Sequence, residues 1–173
     1  MKNLEAEAIP QLLSVIPDHP ATAIIQFAQK ADDVAVAIKA LALEKEYEFV
    51  LNITEPDFLE SSKELAQAGV CTVKPIKWEQ RRYASVGTLY YNVFVTSFVP
   101  DEQKETFLYN VLHHIKTAGH IIFFLPKNDI DTLDIWWAML EEQGLMAIST
   151  LDISSHYTIL IGKKMHGWDS SFK

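Results

Sequence analysis

Only three residues, Ser154-Ser155-His156, separate two β-rich apolar segments near the end of the chain, Met146–Ile153 and Tyr157–Ile161. Two parallel strands need a crossover of about a dozen residues or more, so these two must form an antiparallel hairpin. Upstream the pattern is different. Short, continuously apolar segments alternate with segments of helical period, which implies a parallel sheet covered on both faces. A mostly parallel sheet closed by one antiparallel strand admits few folds.

The strands are expected at Ala23–Ala28, Phe49–Ile53, Val70–Ile76, Tyr91–Phe98 and His120–Leu125, with the hairpin completing seven. The third alternates and is expected nearer an edge. Helices are expected over residues 3–16, from Asp32 or Asp33 to about Glu46, and from Thr54 to Gly69 with Pro56 in its first turn. Another is expected from Asp101 to about Ala118, ended by Gly119. The last runs from Asp129 or Asp131 to Gly144. Lys77–Thr88 has no clean period and reads as the longest loop.

Chain length sets the scale: 173 residues predict one domain, 1–173, with an N-terminal helix within residues 1–20 and a tail at 165–173. A formal net charge of −8 argues against a nucleic-acid backbone as a general partner and against an anionic membrane surface. No apolar run approaches the length of a membrane span. Glu5 and Glu7 interrupt the place where an export signal would be apolar, and Cys71 is the only cysteine, so a reduced cytoplasmic location is expected.

The order of elements and the closing hairpin resemble the class I S-adenosylmethionine-dependent methyltransferase fold, from about Ala21 to Lys164. The best local similarity is YYNVFVTSFVPDEQKETFLYNVLHHIKTAGHIIFFLP, which looks like that family's fourth strand, the following helix and the fifth strand. LEEQGLMAISTLDIS and HYTILIGKK look like its last helix and closing hairpin. The resemblance implies a three-layer, doubly wound sheet of seven strands, with S-adenosylmethionine at the carboxyl ends of the first two strands.

It also implies site positions. The family's first strand ends in an acidic residue followed by Gly-x-Gly-x-Gly; here those positions hold Gln26, Ala28, Lys30 and Asp32. Glycines at such a turn let the backbone approach a ligand closely, and a lysine there would crowd the cleft. The ribose-binding acid of the second strand falls on Asn52, which hydrogen-bonds without charge assistance. The resemblance places Trp78 where it would stack on the adenine. It places Thr96 and Ser97 at the border of cofactor and substrate.

Arg81 and Arg82, the only arginines, stand beside Lys74 and Lys77 and are candidates to bind a substrate carboxylate or phosphate, or else form a solvated loop. His113 and His114 are adjacent and lack metal-ligand spacing; they and His120 read as structural or surface residues, and Cys71 as a small buried hydrophobe. Trp136-Trp137 is a candidate pocket wall or homodimer face, and Trp168 and Phe172 are candidate anchors of the tail. Two functions follow: a divergent methyltransferase of unknown acceptor, small molecule or protein, or a methyltransferase-like binding or assembly module that has lost its cofactor. No general base is evident.

Overall fold

The computed structural model describes residues 2–83 and 87–165. Its seven strands form one sheet in the order β3-β2-β1-β4-β5-β7-β6. These are β1 (Ala23–Ala28), β2 (Glu48–Ile53), β3 (Cys71–Pro75), β4 (Tyr90–Val95), β5 (Ile115–Pro126), β6 (Met146–Leu151) and β7 (Tyr157–Lys163). The first five run parallel; β7 runs antiparallel to both β5 and β6. The expected seven-stranded, doubly wound architecture with its closing hairpin is therefore present, and β3 is an edge.

β1 is buried along its whole length, because helices or loops cover both faces of the sheet. One face, which carries Ile25, Phe27, Val93, Val95 and Phe123, packs under α4 (Lys104–Leu112) and α5 (Ile130–Glu142). The other, which carries Ile24, Phe49, Leu51 and Phe94, packs under α1 (Ala8–Leu13) and α2 (Asp33–Lys45). Asp32 caps α2 by accepting the Ala35 N–H at 2.9 Å, and Asp129 caps α5 by accepting from Thr132 at 3.1 Å. Gly144 follows α5 at φ +73°, a backbone angle that glycine adopts without strain.

Three helices differ from expectation. The one expected over residues 3–16 is confined to α1, whose third residue is Pro10; proline fits the first turn because that N–H has no partner within the helix. The one expected from Thr54 to Gly69 is broken into a 3-10 turn (Pro56–Phe58), a single α turn (α3, Leu59–Ser62) and a second 3-10 turn (Lys63–Leu65). Thr54 does not cap it: its hydroxyl meets Ser97 Oγ at 2.8 Å and Ala28 O at 3.3 Å instead.

The helix expected to reach Ala118 stops at Leu112, and β5 begins at Ile115, which pairs with Tyr90. Asp101 does not cap it; a 3-10 turn, Asp101–Gln103, precedes α4. Gly119 lies inside β5 rather than at a helix end. A Cβ there would sit 2.7 Å from both Ile115 Cγ2 and Tyr91 O, so close packing excludes a side chain. The expected fourth strand, Tyr91–Phe98, ends at Val95, where Thr96 and Ser97 turn to give their N–H groups to Phe27 O. Trp168 and Phe172 lie outside the described residues.

Candidate functional site

The residues at the turn after β1 are bonded to one another. Gln26 is fully buried, and its Nε2 donates to Asp32 Oδ1 and to Thr96 Oγ1, both at 2.9 Å. Thr96 Oγ1 in turn donates to Asp32 Oδ2 at 2.7 Å. Asp32 thus caps α2, holds the end of β1 and holds the end of β4 with a single carboxyl. Burial pushes its pKa up, against hydrogen bonds from Thr96, Ala35 and Gln26 that favour the charged form. The three positions form a strut from β1 to β4 rather than an open cradle.

The remaining turn positions are also taken. Ala28 is fully buried, and its carbonyl accepts the Thr54 N–H at 2.9 Å. Lys30 is exposed, with its ammonium 5.8 Å from the centre of the Phe58 ring, so it leans away instead of filling the turn.

Asn52 is fully buried, and among the described residues neither its Nδ2 nor its Oδ1 has a hydrogen-bond partner. It pairs in register with Phe27, so the two share a face of the sheet. That face is closed by the protein's own aromatics. Trp78 stacks on Phe27 at 6.3 Å and 24°, while Tyr83 and Phe107 meet the Phe27 ring edge-on, each at 5.1 Å. Tyr83 donates its hydroxyl to Trp78 O at 2.8 Å and so ties the segment down; burial lifts its pKa to about 12. Trp78 has a ring for a partner already, and the ring belongs to this chain.

An orphaned buried amide costs free energy, so Asn52→Leu is expected to stabilise the protein by about 1–3 kcal/mol, read as a higher urea midpoint. A lower midpoint would mean that a water or ligand satisfies the amide.

Thr96 and Ser97 line a cavity of about 240 Å³ at the carboxyl ends of β4 and β5, together with Lys104, Phe123, Asp129 and Trp136. Gln29, just past β1, reaches the same cavity. Strand order reverses between β1 and β4, and in open α/β sheets the crevice at such a reversal is the usual ligand position. Arg81 and Arg82 are elsewhere. Both are exposed and line a separate groove of about 460 Å³ with Tyr109, His113 and His114. Burial pushes the His114 pKa down, and the charges of His113, Arg82 and Lys74 add to that. Cys71 is buried, and burial pushes its thiol pKa up. Trp136 is buried against Phe123 at 4.3 Å, whereas Trp137 is partly exposed and donates to Glu141 Oε1 at 3.0 Å.

Lys104 was invisible as a site residue in the sequence. A lysine in the first turn of a helix, among acidic neighbours, reads as solvated; in the fold it is buried, with its ammonium 5.7 Å from the centre of the Trp136 ring of α5.

No protein-family model and no curated protein matches this chain. Solved structures do. An S-adenosylmethionine-dependent O-methyltransferase from Thermotoga maritima superposes with a TM-score of 0.72 at 9% identity, over 95% of this chain and 68% of that one. A precorrin-6y C5,15-methyltransferase from Geobacter metallireducens gives 0.65 at 16% identity, over 95% and 93%. An N-methyltransferase from Bradyrhizobium japonicum gives 0.64 at 13% identity, over 92% and 95%. The chain spans about half the length of other methyltransferases that it resembles, at 54% and 52%. The chain has the class I methyltransferase-like fold. Likeness at these identities concerns the fold, and activity has to be argued from the site.

Proposed function

We propose that this chain is a methyltransferase-like binding module that does not hold S-adenosylmethionine in the family's manner, and that its binding site is the cavity at the ends of β4 and β5. One observation carries the reading: Gln26, Asp32 and Thr96, three positions expected to face the cofactor, are bonded to each other at 2.7–2.9 Å. The residues present do not fit the group. Asn52 and Ala28 are fully buried, and neither they nor Lys30 line the cavity beside β4 and β5 or the groove of Arg81 and Arg82. The face that Asn52 shares with Phe27 is covered by Trp78, Tyr83 and Phe107, which stand against Phe27.

The test is thermal unfolding during titration with S-adenosylmethionine and S-adenosylhomocysteine. A native-state ligand at 100 times its dissociation constant adds about 2.7 kcal/mol, worth roughly 5–11 °C for a chain of this size. The expected shift at millimolar cofactor is zero. The orphaned amide of Asn52 favours a second reading, a divergent methyltransferase whose Ile76–Tyr83 segment swings aside to admit the cofactor. A saturable shift that vanishes in Asn52→Leu would establish that reading and overturn the first.

A further inference from the structure

We propose that the cavity beside β4 and β5 takes a ring-sized apolar ligand bearing a carboxylate, with Lys104 as its anchor and Trp136 as its wall. The inference rests on the reading that this cavity is the binding site, and it adds the class of ligand.

Size comes first. An apolar cavity of about 150 Å³ accommodates benzene, so 240 Å³ suits one ring with a short substituent. The walls are mainly apolar, with Val95, Phe123, Leu125 and Trp136 among them. Phe98 stands at the rim with 68% of its surface exposed, which leaves an apolar contact at the cavity's edge.

Charge decides the rest. The Lys104 side chain is only 7% exposed, and its single carboxylate partner among the described residues is Asp101 at 2.6 Å, itself 82% exposed. The ammonium stands 5.7 Å from the centre of the Trp136 ring. It has three donors, and one carboxylate oxygen does not use them all. A lysine in the first turn of a helix also opposes the helix dipole and loses hydration on burial. The Asp101 ion pair and the Trp136 ring offset part of that cost.

Of the other polar groups of the lining, four are already engaged. Thr96 donates to Asp32, and Ser97 shares a hydrogen bond with Thr54. The Asp129 carboxylate accepts from Thr132, and Tyr157 donates its hydroxyl to Lys2 O. Hydrogen bonds from Thr132 hold the Asp129 carboxyl below its ordinary range, and the Lys104 charge adds to the effect. Lys104 is the only cation of this lining, and its unused N–H donors favour an anion beside it, while the Asp129 carboxylate and the Gln29 amide keep acceptor capacity of their own.

The experiment follows the indole N–H signals by NMR while benzoate, toluene or benzylamine is added to the full chain. Benzoate is expected to shift the Trp136 signal saturably and to bind more tightly than the other two. Lys104→Met should weaken benzoate about tenfold, the scale of one charge-assisted hydrogen bond, and leave toluene unchanged. Asp101→Asn, at an exposed position, should strengthen benzoate by freeing the ammonium. Equal binding of the three probes, no saturable shift, or no response to Asp101→Asn would overturn the assignment. A cofactor-induced thermal shift alongside normal benzoate binding would overturn the cofactor reading alone.

Discussion

Asp32→Ala is expected to lower stability by about 2–4 kcal/mol, a fall in Tm of about 4–16 °C for a chain of this size. Two losses add. The α2 cap from Ala35 N goes, at about 1 kcal/mol. A hydrogen of the fully buried Gln26 amide then loses its acceptor, at about 1–3 kcal/mol. Thr96 is spared part of the loss because Phe27 O lies 3.3 Å from its hydroxyl as an alternative acceptor. Asp32→Asn keeps the capping oxygen and should cost less than half as much. Unchanged unfolding of Asp32→Ala would mean that the turn is an open loop and that its residues do not form a strut.

The pH dependence has a definite sign. The folded Asp32 carboxyl has a raised pKa, chiefly through burial, so the folded state holds this proton more tightly than the unfolded chain does. Its contribution to stability is greatest at low pH and declines as pH rises from the ordinary carboxylate range through the raised folded value. Asp32→Asn should remove that part of the slope, as measured by unfolding across the acid range.

The strands were legible because their covered faces leave unbroken apolar runs such as Ile121–Leu125, and because three residues cannot carry a crossover. Three helices were less so. Phe107, Val111 and Ile115 continue a helical stripe on paper, yet Ile115 starts β5 beside Tyr90, and periodicity alone does not show where the chain turns. The sequence also placed Gln26, Asp32 and Asn52 at the expected cofactor positions. That the first two bind each other, and that Thr96 completes the set 70 residues from Gln26, depends on β1 lying beside β4. That adjacency is long-range, and no local pattern announces it. Arg81 and Arg82, the most conspicuous charges in the sequence, line a groove apart from the cavity that holds Thr96 and Ser97.

Phe107→Ala is expected to have the largest effect, a loss of about 3–5 kcal/mol, because the ring is fully buried and its removal leaves a cavity. Its place in the fold gives the loss a second consequence. Phe107 touches Phe27 at 5.1 Å, Trp78 at 5.3 Å and Tyr83 at 5.5 Å, so it joins the segment over β1 to the face of the sheet. Aromatic pairs of this kind contribute about 0.5–1.5 kcal/mol each beyond burial, without simple additivity. Trp78 is only partly buried, and Trp78→Ala should cost less. Both variants should nonetheless speed solvent exchange of the Asn52 side-chain amide, since both loosen the cover on the face that Asn52 shares with Phe27. Faster exchange in Trp78→Ala with little loss of stability would mean that the segment acts as a separable plug over an otherwise intact sheet. Equal losses in the two variants would mean that Trp78 belongs to the core, and that no ligand reaches Asn52 without unfolding that side of the protein.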